Sequence, residues 1–222
     1  MKRNTILMTL LVSTLALAGC NKDEDNGSRE PAVSKQAQAA LTEKYPNATN
    51  VRWTAKDKYV VASFSLPESR AAEAGIDLAA WFDNGGAWYM TETDIPFTAL
   101  PEAVQTAFEA SEYASAPWRT DDVDMLEREG VETIYVIEVE KRENGIETEI
   151  DLYYSADGVL VKMLTDSAPD YDYGDYIPST PATGIEEYIR TNYPDARITE
   201  IDYEHGMTEV DIIDGRTPRE LL

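Results

Sequence analysis

The chain has 222 residues, one cysteine and one histidine, and its 42 acidic against 19 basic side chains leave a net charge of −23. Such a surface repels nucleic-acid phosphates and anionic lipid head groups, which excludes nucleic-acid binding. A cationic partner, a divalent ion or plain solubility fits the charge better. The lone histidine rules out a zinc site with several His ligands, and His205-Gly206 falls where a hairpin turn is expected.

Lys2 and Arg3 open the chain, and Ile6 to Ala18 is apolar but too short to span a bilayer, which takes about twenty residues. The tetrapeptide Leu17-Ala18-Gly19-Cys20 resembles a bacterial lipobox. That resemblance implies a signal peptide at 1–19, cleavage before Cys20 and lipidation of Cys20. Cleavage removes Lys2 and Arg3 and takes the charge from −23 to −25. Residues 20–31 read as a flexible polar tether. Its acidic run Lys22-Asp23-Glu24-Asp25 resembles the surface-export signal of Bacteroidetes lipoproteins. The expected product is an exported outer-membrane lipoprotein, periplasmic or at the cell surface, that meets the membrane only through the lipid on Cys20. No thiol remains for a disulfide or a cysteine metal site, so an apolar core must hold the fold.

A pattern then repeats. Ser34 to Lys44 reads as a helix that ends before Tyr45-Pro46-Asn47-Ala48, since Pro46 disfavours helical geometry at Tyr45. Val51-Arg52-Trp53, Tyr59 to Leu66, Asp77 to Phe82 and Ala87 to Glu92 read as strands. Ala71 to Gly75 is a loop, and Asp83-Asn84-Gly85-Gly86 is a hairpin turn. The second copy places Pro101 at the start of a helix over Glu102 to Ala110. Strands follow around Ala116–Leu126, Glu132–Glu140, Glu147–Tyr154 and Val159–Leu164, with a turn at Ser155-Ala156-Asp157-Gly158. Along Glu147–Tyr154 the side chains alternate: Thr148, Ile150, Leu152 and Tyr154 on one side, Glu147, Glu149, Asp151 and Tyr153 on the other. One face therefore meets a core, and the other is acidic, bears tyrosine and is expected to be open. Asp166 to Ala182 is rich in Pro, Asp and Tyr and reads as a linker. A partial third copy has a helix over Thr183–Asn192, with Thr183 and Glu186 spaced as a capping box, and Tyr193-Pro194-Asp195-Ala196 repeating the earlier element. Ile198–Tyr203 and Met207–Ile213 are its two expected strands. The expected divisions are units at 32–97 and 98–166, a linker at 167–182 and an incomplete unit at 183–222.

The repeated helix, the Tyr-Pro-Asn/Asp-Ala element and the Phe82-Asp83-Asn84-Gly85 turn followed by Trp88 resemble the PepSY-like, β-lactamase-inhibitor-like lipoproteins of Bacteroides and relatives. The likeness covers about 34–166 twice over and 183–222 in part, although Tyr113-Ala114 lacks the proline of Tyr45-Pro46. It implies an α+β fold: tandem units of an N-terminal helix plus a four-stranded antiparallel sheet, the third unit incomplete. It implies helices on one face, a sheet surface free to meet a ligand or protein, no reaction and no catalytic residues; no cofactor is expected.

Carboxylate pairs are abundant but gain catalytic character only where burial raises one pKa, and these acidic strands are expected to face solvent. Asp170, Asp172 and Asp175 are oxygen ligands of the type calcium takes, without the spacing of an EF-hand loop. Trp53, Trp81, Trp88 and Trp118 are expected in or beside packed layers. Trp88 and Tyr89 are adjacent, so a regular strand turns one of them outward. The candidate ligand-contacting residues are Trp88, Tyr89, Tyr153, Tyr171 and Tyr173. The expected function is non-catalytic binding of a protein, peptide or envelope component, with a cationic one fitting the charge. The alternatives are an enzyme inhibitor that inserts a loop such as Asp83–Gly86 and an uncharacterised enzyme.

Overall fold

The computed structural model describes residues 32–67, 76–166, 173–180, 184–204 and 206–222. Helix α1 (Lys35–Lys44) begins where the Ser34 hydroxyl accepts from the Ala37 amide, satisfying one orphan donor of the first turn. Strands β1 (Thr49–Lys56), β2 (Tyr59–Leu66), β3 (Ile76–Phe82) and β4 (Trp88–Asp94) follow as a meander. Helix α2 (Glu102–Glu109), preceded by Pro101, leads into β5 (Arg119–Arg128), β6 (Ile134–Glu143), β7 (Ile146–Ser155) and β8 (Leu160–Asp166). The two meanders are not separate sheets. Strand β4 pairs antiparallel with β5, from Met90↔Arg128 to Asp94↔Asp124, giving one eight-stranded sheet in sequential order.

Both helices lie on the same face. Ala37 and Leu41 of α1 bury Val60, Ala62, Phe64, Leu78, Ala80 and Phe82. Val104 and Phe108 of α2 bury Val123, Ile137, Val139, Ile150, Leu152 and Tyr154. These are the alternate positions that the period of two predicts. Trp53 and Trp88 pack against the first cluster and Trp118 against the second, while Trp81 is buried on the opposite face.

Two glycines set how closely the helices sit. Gly86 follows the β3–β4 turn with φ +90°, and a Cβ there would stand 2.9 Å from the Gln36 carbonyl oxygen in the first turn of α1. Gly158 occupies the corresponding place in the β7–β8 turn with φ +75°, and a Cβ would run into the Ala103 carbonyl of α2. Each unit thus folds its last hairpin against its helix backbone through a residue without a side chain.

The third unit is helix α3 (Ile185–Asn192) with β9 (Arg197–Glu204), β10 (Met207–Asp214) and β11 (Thr217–Leu221), ordered β11-β10-β9. Ile189 of α3 packs on Ile201, Val210 and Ile212. The expectation of two strands is corrected: Thr217–Leu221 forms a third, closed by the two-residue turn Gly215-Arg216. Gly184, φ +95°, precedes the helix, and Thr183 lies outside the described residues, as do residues 1–31 with Cys20, Ala71–Gly75, Tyr171 and His205. The third unit docks through Arg128, whose buried guanidinium donates to the carbonyls of Thr199 (2.7 Å), Glu132 (3.1 Å) and Tyr176 (3.5 Å). Arg197 adds ion pairs to Glu132 and Asp157.

Outer strands carry interruptions. Strand β1 has a register break between Thr49 and Arg52, with Asn50 at φ +56°. Strand β11 carries Pro218, one residue past the hydrogen-bonded pair Asp214↔Thr217 that closes its hairpin, so the position without an N–H points to the free edge.

The glycine contacts make a testable distinction. Gly158→Ala should destabilise the chain by about 3 kcal/mol or more, combining backbone strain with overpacking against α2. Gly215→Ala, where φ is +66° and the space is open, should cost only about 1 kcal/mol. Urea unfolding of both variants measures the difference; equal costs would mean that the close approach to α2 is not a constraint.

Candidate functional site

The sheet face opposite α1 and α2 is the acidic one. Its outward positions are Glu92 and Asp94 on β4, Asp124 on β5, Glu138 and Glu140 on β6, and Glu147, Glu149 and Asp151 on β7. The register sets like charges directly across from one another: Asp94↔Asp124, Glu138↔Asp151 and Glu140↔Glu149. Directly opposed side chains stand about 5 Å apart at Cβ, and such like-charge pairs destabilise a sheet. Arg119 relieves one of them by pairing with Glu140, and it also meets Asp121 at 3.0 Å.

The expectation that this face is open and solvent-facing is corrected in part. Tyr153 is 1% exposed and Asp151 4%. The cause is the segment Tyr173–Thr180, which lies across the face. Residues Tyr173–Tyr176 form a 3-10 turn in which side chains three apart eclipse, so both rings point at the sheet. The Tyr176 ring stacks on Tyr153 at 4.7 Å and 18°, with the Lys162 ammonium 5.0 Å from its centroid. Tyr173 donates to Asp124 at 2.9 Å. Ile177 fills a cluster with Val61, Trp81 and Met90. The residual cavity beside Tyr153 and Tyr176 holds only about 10 Å³. The segment that reads as a linker is therefore a strap.

The strap divides the face. On one side the carboxylates of β5, β6 and β7 form a ledge. Burial, then the charges of Glu92 and Asp122, push Asp124 up to about 8, against the opposing hydrogen bond from Tyr173. Burial, then Asp151 and Glu149, push Glu138 up to about 7. The Tyr173 phenol is raised by burial and by the charge of Asp124. Glu140, Glu147 and Glu149 can bring one oxygen each within 4.8 Å of one another, a spacing that a hard divalent cation tolerates, although Arg119 already engages Glu140. The side chains of Asp170, Asp172 and Asp175 lie outside what the structure describes.

The other side of the strap is aromatic. Tyr59 and Tyr89 meet edge to face at 5.2 Å beside Lys58 and Asp83. Among the sequence candidates, Tyr89 thus lines a groove and Tyr173 and Tyr153 lie under or within the strap. Trp88 stands apart on the helix side, donating to Thr91 at 2.8 Å beneath the Lys44 ammonium, which is 3.7 Å from its ring centroid. Of the four candidates among the described residues, Trp88 lies on the helix side, apart from Tyr89, Tyr153 and Tyr173. Sequence reading passed over Asp124 and Glu138. Their signal was available, since both lie on the same alternating face as Asp151, but the cross-strand register that opposes them follows only from the pairing.

These features define a class: a helix-backed antiparallel sheet whose other face carries opposed carboxylates, part of them covered by a strap. The profile described as "Putative beta-lactamase-inhibitor-like, PepSY-like" matches residues 69–162 and 176–217, and the chain belongs to that family. A solved BLIP-like protein from Bacteroides fragilis is 34% identical, with a TM-score of 0.53 over 66% of this chain and 95% of that one. A DUF2874 family protein from Bacteroides ovatus is 29% identical, with a TM-score of 0.55 over 65% and 94%. A DUF2874 family protein from Bacteroides uniformis, 28% identical, aligns with a TM-score of 0.51 over 60% and 89%. No match is found among curated proteins.

Burial of Asp124 has a stability consequence. Its folded pKa lies above the unfolded one, so the native state binds the proton more tightly between about pH 4 and pH 8, and stability falls as pH rises through that window. Asp124→Asn, which keeps an acceptor for Tyr173, should therefore stabilise the chain at pH 8 by about 1–3 kcal/mol and change little at pH 4. Urea titrations at both pH values test this, and a gain that is the same at both would show that Asp124 is not the buried charge at fault.

Proposed function

We propose that this protein is a non-catalytic cell-envelope lipoprotein that binds a cationic protein or peptide on the acidic ledge of β5, β6 and β7. The observation that carries the reading is the register: three like-charge pairs set directly opposite one another on a single face. A sheet gains nothing from that arrangement alone, and departures from local stability rules concentrate at functional sites. A ligand bearing positive charge would relieve the two pairs that Arg119 does not. Asp94 and Glu147 are exposed and Glu138 and Glu149 half-buried, so one carboxylate of each opposed pair is within reach of a macromolecular surface or an extended segment. The inhibitory alternative by insertion of Asp83–Gly86 is the second reading: Gly86 is packed against Gln36 of α1, while Asn84 and Gly85 at the tip are exposed.

Binding is coupled to protons. A cation favours the charged form of Asp124 and Glu138, so affinity for a lysine-rich peptide should rise between about pH 6 and pH 8 with proton release. Isothermal titration in buffers of different ionisation enthalpy reads that release. Glu138→Gln should weaken binding about three- to tenfold at low salt, and Glu127→Gln, on the opposite face, should leave it unchanged. Equal effects of the two substitutions would point to the net charge of the chain and remove the ledge as a site.

The envelope location rests on the leader and Cys20, outside the described residues. Cys20→Ala should move the protein from the membrane to the soluble fraction of cells producing it. Unchanged partitioning would argue against lipidation.

A further inference from the structure

The groove on the aromatic side of the strap is separate from the acidic ledge and has its own chemistry. It encloses about 280 Å³ between Lys58, Tyr59, Asp83, Tyr89 and the strap residues Ile177–Thr180. Its walls are held in place. The Tyr59 ring rests edge-on against buried Trp81 at 6.0 Å, and Ile177 is anchored in the same cluster. The Ser179 amide donates to the Ile201 carbonyl at 2.8 Å, fixing the strap end to the third unit. Asp83 is set by its own turn, accepting from the Ala87 amide at 2.9 Å.

The lining selects by elimination. An anion meets Asp83 and a strongly acidic chain. A cation is repelled by the Lys58 ammonium, which stands 5.1 Å from the Tyr59 centroid, and has the ledge as a better alternative. A purely apolar ligand would desolvate Asp83, Lys58 and the Ser179 and Thr180 hydroxyls without replacing their hydrogen bonds. A neutral ring with one C–H face and a rim of hydroxyls satisfies all of these groups. The C–H face would lie on Tyr89, with Tyr59 set edge to face beside it, and the rim would reach the carboxylate, the ammonium and the strap hydroxyls. The volume is at the lower end of small-molecule sites and suits one such ring.

We propose that this groove is a binding subsite for a single neutral saccharide ring, with Tyr89 as its platform, Tyr59 as the wall beside it, and Asp83 and Lys58 as its hydrogen-bonding flanks. The test is saturation-transfer NMR on the purified full chain with methyl β-D-glucopyranoside, methyl α-D-mannopyranoside and N-acetylglucosamine. Glucuronate and cyclohexanol serve as the charged and apolar comparisons. At least one neutral sugar should receive saturation at its ring protons. Tyr89→Ala should weaken that binding about tenfold, and Tyr89→Phe should hold it within about twofold. A circular dichroism spectrum and a urea midpoint that match the parent chain establish that Tyr89→Ala is folded, and neither depends on the ledge. The proposal is overturned by saturation of none of the three sugars, by binding undiminished in folded Tyr89→Ala, or by cyclohexanol or glucuronate binding as well as the best neutral sugar.

Discussion

The fold depends on how closely two hairpins approach two helices. At Gly86 and Gly158 the turn backbone lies where a side chain would collide with the first turn of α1 or α2. That contact orients each helix over its own meander, so the apolar alternate residues of β2, β3, β6 and β7 are covered from one side. With that side filled, whatever the sequence places on the remaining alternate positions is displayed together. The acidic ledge is thus a consequence of the same geometry that builds the core.

The third unit repeats the scheme on a smaller scale. Its core residues Ile201, Val210 and Ile212 face α3, and the opposite face again opposes carboxylates, Glu200↔Asp211 and Asp202↔Glu209, with Glu220 beside Asp211. Burial, then Glu200, push Asp211 up to about 6. Lys162, reaching from β8, donates to both Glu200 oxygens at 3.1–3.2 Å and also lies over Tyr176. One cation therefore stitches the strap, the large sheet and the third unit together. Arg128 does the same from beneath, where burial lowers its pKa only to about 10 and leaves it charged at neutral pH. With Arg197, which pairs with Glu132 and Asp157, a chain rich in acid places at least three bases at this junction.

Much of the fold was legible because alternation and turn chemistry are local. Glu147–Tyr154 sorted its faces correctly from spacing alone, and Gly158 and Gly86 marked their turns. What was not legible depended on contacts distant in sequence. The pairing of β4 with β5 joins two units that read as separate. Strand β11 was hidden by its charges and by Pro218, which an edge strand tolerates. The strap was hidden by composition: its Asp, Pro and Tyr read as a polar linker. The signal was the spacing of Tyr173 and Tyr176, which in a 3-10 turn sends both rings the same way. That one misreading explains why Tyr153, expected on a free surface, is stacked beneath Tyr176.

The interrupted outer strands have a consequence beyond the fold. A bare sheet margin is a template on which another chain can polymerise. Here the bulge at Asn50 twists one margin out of register, and Pro218 deprives the small sheet's margin of a donor. Strand addition is therefore discouraged at these two margins, one on each sheet.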